Sequence, residues 1–175
     1  MTKYVICMAI AIIFAAFNVV NVVNASDRSF GADAAKQNKS PSIQQMLDYA
    51  IQDEYLARSE YELIMDKFGE QRPFSNIIRS EETHIKWLKE VYNNHSIPIP
   101  HDNSANHVEL PKSLKDAFAI GVQAEIDNIA MYDSFLKNPL LEQADNDDIK
   151  STFTKLMQAS KNHLSAFEKG LSRHQ

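Results

Sequence analysis

Three carboxylates stand where an apolar helix seam should be unbroken. Four windows of the chain carry a stripe of residues at alternating steps of three and four, the spacing of a bundle helix. The first runs Ile43, Leu47, Ala50, Glu54, Ala57, Tyr61, Ile64, Phe68, and the second Phe74, Ile77, Glu81, His84, Leu88, Val91. The third runs Leu114, Phe118, Gly121, Glu125, Asn128, Tyr132, Phe135, and the fourth Ile149, Phe153, Leu156, Ser160, His163, Phe167. Each stripe is apolar except near its middle. A carboxylate buried alone costs on the order of several kcal/mol, so Glu54, Glu81 and Glu125 require positive charge nearby. Arg58, Arg79 and Lys86 are the nearest bases in sequence, and none lies on a seam. A bound cation answers the requirement directly, with carboxylates and neutral imidazoles as ligands. Glu81-x-x-His84 sets an oxygen and a nitrogen donor one turn apart on one helix face.

The chain also echoes itself. Glu54 is followed seven residues later by Tyr61, and Glu125 seven residues later by Tyr132. Glu81-Glu-Thr-His84 is answered by Ser160-Lys-Asn-His163, so two helix pairs would present matching half-sites. The elements that must position these residues are marked by proline: Pro41 precedes the first window, Pro73 stands at a turn, Pro98, Pro100 and Pro111 fall in a connection, and Pro139 follows the third. The windows are Ser42 to Phe68, Pro73 to Asn94, Ser113 to Asn138 and about Asn146 to His174, with Gly69 suited to a helix end and Ser113 and Asp147 to helix starts. The expected fold is all-α, a four-helix bundle over residues 41–175 with a long connection between its second and third helices.

Composition narrows the function classes. With 175 residues the chain suffices for one compact domain, and a net charge of -5 argues against a nucleic-acid binder. The single cysteine, Cys7, excludes a disulfide framework and a cysteine-based zinc site. Cys7 lies in an apolar leader that opens with Lys3 and ends Val23-Asn24-Ala25, which reads as a secretory signal over residues 1–25, cleaved before Ser26. An uncleaved anchor is the competing reading. The protein is thus expected to be secreted or periplasmic, with no membrane association once the signal is removed. Residues 26–40 are polar and aperiodic and are expected to form a flexible tether.

The chain resembles the ferritin-like superfamily through Asp53-Glu-Tyr-Leu-Ala-Arg, Phe68-Gly-Glu-Gln-Arg-Pro-Phe-Ser-Asn-Ile-Ile, Glu81-Glu-Thr-His-Ile and Ser160-Lys-Asn-His-Leu-Ser-Ala-Phe. Its nearest likeness is to the uncharacterised ferritin-like family called domain of unknown function 2202. Superfamily bundles hold two metals through a Glu from each of two helices and a Glu-x-x-His from each of the others. The resemblance therefore implies Glu54, Glu81, His84, Glu125 and His163 as metal ligands, with iron the expected metal, as one or two ions, and manganese or zinc as alternatives. It also implies Fe(II) oxidation by oxygen or peroxide. Ser160 departs from the superfamily Glu and would bind weakly or through water. Asn128 stands where peroxide-reducing relatives often carry a second carboxylate of the third helix. Without a cysteine cluster, redox turnover would need an external electron donor. A non-catalytic bundle holding a single ion is the second reading.

Counting from the predicted helix ends, Glu54 and Glu81 differ in height by about 10 Å at ~1.5 Å per residue, with His84 closer to level. Glu60 and Glu62 match the height of Glu81 better but fall off the seam and read as solvated charges, while a second helix starting before Pro73 would also shrink the offset. Tyr61 and Tyr132 are seam aromatics that either pack the core, hydroxyl bonded to a carboxylate, or support the metal site. His95, His101 and His107 read as solvated loop residues, and Met46, Met65, Met131 and Met157 as core filler. Residues 95–112 can extend ~60 Å, beyond the ~37 Å of a 25-residue helix, so a crossover along the bundle is feasible.

Overall fold

A computed structural model describes residues 29–174. The leader expected over residues 1–25 lies outside the described residues. Within them the chain is helical: α1 spans Gly31–Ala35, α2 Ile43–Phe68, α3 Phe74–Asn94, α4 Leu114–Leu136 and α5 Asp147–Ser172, with short 3-10 turns in the connections. No helix among the described residues is long and apolar enough to cross a membrane.

The expected boundaries have local causes. Ser42 caps α2 reciprocally, its hydroxyl accepting from the Gln45 amide at 3.2 Å while the Gln45 side chain accepts from the Ser42 amide at 3.0 Å. Gly69, at φ 80°, ends the helix, its N–H donating to Met65 O. Ser113 caps α4 by accepting from the Asp116 amide at 3.1 Å, and Asp147 and Asp148 place negative charge in the first turn of α5.

The four long helices form two hairpins, α2 with α3 and α4 with α5, and the composition of the core fixes their directions. One apolar layer joins Leu47, Ile51 and Tyr55 of α2 to Leu88 and Tyr92 of α3, Tyr132 and Phe135 of α4, and Ile149 and Phe153 of α5. The other joins Tyr61 and Ile64 to Phe74 and Ile77, Ala117 and Phe118, and Phe167. The end of α3 therefore lies with the first layer and the start of α4 with the second, so the chain between them crosses the length of the bundle, as its reach allows. The crossover is pinned midway. Asp102 accepts from the Arg58 guanidinium, and the buried Ser104 meets the Ser59 hydroxyl at 2.7 Å.

Residues 29–40 depart from the expected tether. Phe30 and Ala32 are buried, the Phe30 ring stacks on His107 with centroids 4.2 Å apart, and the Ala32 amide donates to Asp53 Oδ1 at 2.9 Å. Lys36 adds an ion pair to Asp127 of α4 at 2.8 Å. Gly31 permits this docking, because it takes φ 55° and a Cβ there would lie 2.6 Å from Asp53 Oδ1. A polar segment with one phenylalanine and a few alanines carries too weak a periodic signal to announce a strap whose partners are distant in sequence.

The register of the first hairpin differs from the end-counting expectation as well. Helix-like hydrogen bonds begin before α3 proper, Ser75 N to Gln71 O at 3.0 Å and Ile77 N to Pro73 O at 3.0 Å, so the turn already climbs. Gly69 is then the apex, equidistant in sequence from Glu54 and His84. Glu81 sits one turn away, about 4.5 Å along the axis, a step its side chain spans.

Helices α4 and α5 approach closely through two glycines. A Cβ on Gly170 would lie 2.3 Å from the Phe118 ring, and one on Gly121 would lie 2.9 Å from the Phe167 ring. Each phenyl ring thus fills the space that the opposite glycine leaves. Gly170→Ala gains up to about 1 kcal/mol of helix propensity but overpacks a ring that is fully buried, at a cost of about 1–3 kcal/mol. The variant should unfold at lower urea concentration than wild type, and a raised midpoint would contradict this packing.

Candidate metal centre

Between the two apolar layers lies a polar one, to which every long helix contributes. Glu54 comes from α2, Glu81 and His84 from α3, Glu125 and Asn128 from α4, and Ser160 and His163 from α5; all seven are buried. The five residues expected from sequence form two overlapping groups, Glu54 with Glu81 and His84, and Glu81 with Glu125 and His163, each close enough to hold a metal ion.

Glu81 belongs to both groups. Its Oε2 lies 2.8 Å from His84 Nδ1, and its Oε1 lies 3.3 Å from His163 Nδ1. Glu54 Oε2 meets the same His84 nitrogen at 3.0 Å, and Glu125 Oε1 meets His163 Nδ1 at 3.3 Å. The two imidazoles face each other with centroids 5.8 Å apart. On the far side of His84, Nε2 lies 3.2 Å from the Ser80 hydroxyl, a contact that helps to orient the ring.

The two tyrosines part company. Tyr132 donates its hydroxyl to Glu54 Oε1 at 2.8 Å, fixing that carboxylate so that its other oxygen faces His84. Tyr61 lies in the apolar layer against Phe74 and Phe167, with ring centroids 5.6 and 5.7 Å away. The loop histidines do not converge on a site. His95 meets Asp148 at 2.8 Å, His107 stacks on Phe30 and His101 is exposed. Glu62 is exposed as expected, but Glu60 is half-buried, and burial pushes its carboxyl up to about 7. It lines a cleft of about 240 Å³ beside Asp53, Leu56 and Phe30, walled by the strap that the sequence did not announce.

The electrostatics of the layer follow from its seclusion. Burial raises Glu54, with the Glu81 charge adding and His84 opposing. Burial also raises Glu125, against the pull of His163 and Ser160. Glu81 is held below the usual carboxylate range because His163 and His84 together outweigh its burial. Burial works against both imidazolium charges, yet Glu54 and Glu81 bring His84 up to about 10, and Glu125 and Glu81 bring His163 up to about 9. Among the described residues no lysine or arginine pairs with these glutamates, so in metal-free protein the compensating cations are the imidazoliums themselves. A metal bound here would take their place by displacing two protons.

This exchange fixes the pH response. Each imidazole is raised from an ordinary 6.5 in the unfolded chain, so its stabilising protonation is complete below that value and lost as pH rises through about 9 and 10. Chelator-treated protein should therefore lose thermal stability between about pH 6.5 and 10, while the increment from bound metal grows over the same window. Melting curves of both forms across that range check this. A metal increment that shrinks as pH rises would contradict it.

Relatives confirm one part of the sequence reading. An uncharacterized protein of Methanocaldococcus jannaschii is 31% identical over 138 residues, covering 70% of this chain and 71% of that relative. No solved structure matches the chain. Residues 43–174, from the start of α2 to the end of the described chain, match the family described as an uncharacterized protein domain (DUF2202). The chain belongs to that family.

Proposed function

We propose that the polar layer is a carboxylate–histidine metal centre for two adjacent ions, of ferritin-like type, with iron as the favoured metal. One observation carries the reading: the two oxygens of Glu81 are divided between His84 and His163, the arrangement of a carboxylate that bridges two ions. Glu54 and His84 would complete one position, Glu125 and His163 the other. The donors are imidazole nitrogen and carboxylate oxygen, a set suited to iron and manganese, and imidazole also suits zinc.

Bound iron would supply one-electron redox chemistry, and Fe(II) is the proposed substrate, oxidised by oxygen or peroxide with one electron leaving each ferrous ion. The chain's own residues hold the carboxylates in register, exclude bulk water with apolar layers above and below, and release to solvent the imidazolium protons that metal binding displaces. The only cysteine lies in the leader, so regeneration would draw on an external donor. The leader itself supports a secreted or periplasmic location, with cleavage after Ala25, and a mature chain beginning at Ser26 is the expected product.

Ser160 favours a second reading. It is buried in the layer where the repeat calls for another carboxylate, which suits a non-catalytic bundle holding one ion such as zinc or manganese. Metal analysis of natively purified protein, followed by oxygen-electrode measurement on Fe(II) addition, separates the two. The proposal expects iron and oxygen uptake, whereas a single redox-inert ion without uptake favours the second reading. His84→Ala should remove most metal binding and leave helical content nearly unchanged, because Ile77, Leu88 and Val91 still pack. Full metal occupancy in that variant would sink the assignment.

A further inference from the structure

The two halves of the layer are satisfied unequally. On the α2–α3 side every carboxylate oxygen facing the layer has a partner: Glu54 Oε1 takes the Tyr132 hydroxyl at 2.8 Å, and Glu54 Oε2 and Glu81 Oε2 take His84 Nδ1. On the α4–α5 side two buried acceptors have none. Glu125 Oε2 and Asn128 Oδ1 are the buried side-chain polar atoms left without a hydrogen-bond partner among the described residues. Both belong to α4, one turn apart on the seam face. Glu125 meets His163, and Tyr132, one turn beyond Asn128, meets Glu54, so Asn128 lies at the height of the layer between them.

Two orphaned oxygens one turn apart on the same face of α4 are unexpected, because burying an acceptor without a donor is destabilising and native cores hold few. Ser160, whose hydroxyl already pulls on Glu125, has a single hydroxyl hydrogen and cannot serve both. A cation serves both at once. We infer that Asn128 is a ligand of the second metal position, its amide oxygen joining both oxygens of Glu125, Glu81 Oε1 and His163 Nδ1. The inference rests on the reading of the layer as a two-ion centre. In this account α4 supplies through Asn128 the donor that α5 lacks at Ser160. The second position's donors are then mostly hard oxygens, and a neutral amide where the repeat calls for a carboxylate makes it the weaker of the two positions. Such a position suits manganese(II) and iron(II) better than a soft, tetrahedral metal.

Manganese(II) alone is the probe, titrated into chelator-treated protein with free Mn(II) followed by electron paramagnetic resonance. The sole tryptophan, Trp87, has its ring 5.6 Å from that of His84, so its quenching marks filling of the first position. Wild type should bind two equivalents, the tighter one quenching Trp87. Asn128→Leu should weaken the other step by at least about tenfold and leave the quenching step within about threefold. Its metal-free melting temperature should hold or rise, because an orphaned amide has been replaced by an apolar group of similar size. Asn128→Asp, the safeguard should the leucine variant fail to fold, should tighten the second step. No Mn(II) binding by wild type would overturn the two-ion reading itself. Two equivalents with constants unchanged in both variants would overturn the assignment of Asn128 alone, leaving it a core asparagine, and a single equivalent in wild type would overturn the second position.

Discussion

Three glutamates held out of water with no lysine or arginine partner among the described residues are the constraint around which the bundle is arranged. Glu54, Glu81 and Glu125 are each at most 3% exposed, between apolar layers on either side. Their charge is met inside the layer by imidazolium, the place a bound metal would take. That requirement explains why the α2–α3 hairpin brings Glu54 and Glu81 onto one nitrogen of His84, and why His163 stands between Glu81 and Glu125. It also ties the charge of the layer to its occupancy, since the protons that stabilise the metal-free bundle are those that a metal must expel.

The packing serves this layer more than the reverse. Directions of α2 to α5 are set by which ends share an apolar layer, and the crossover is held to α2 at Arg58 and Ser59. Each of four helices therefore delivers its polar residues at one height. The reciprocal seating of Phe118 on Gly170 and Phe167 on Gly121 fixes the spacing of α4 and α5, the pair that carries the less satisfied half of the layer. Asymmetry follows from composition: Tyr132 ties down one oxygen of Glu54, whereas Glu125 keeps an oxygen free.

Much of this is legible in the sequence because helices that bury one stripe must write it every three to four residues. Proline punctuation, the Ser113 cap and the polar interruption of each seam identify the helices and the five residues that meet in the layer. What the sequence leaves out is what depends on contacts between distant segments. Counting from helix ends misplaces Glu81 because the turn from Gln71 is already helix-like. The strap of residues 29–40 and the half-burial of Glu60 depend on where α1 docks. Nothing in the spacing distinguishes Tyr61 from Tyr132, since both lie seven residues after a seam glutamate; only the cross-bundle neighbours make one a core aromatic and the other a partner of Glu54. Asn128 reads as a lost carboxylate until its buried oxygen, like one of Glu125 a turn before it on α4, is found without a partner.

The division of Glu81 between two imidazoles makes a claim about atoms, and an anomalous difference map from crystals of natively purified protein, collected above the absorption edge of the metal it carries, addresses it directly. The account predicts two peaks about 3.5–4 Å apart, one beside His84 Nδ1 and one beside His163 Nδ1, with an oxygen of Glu81 reaching each. A single peak, or metal bound in stoichiometric amount anywhere outside the layer, would contradict it.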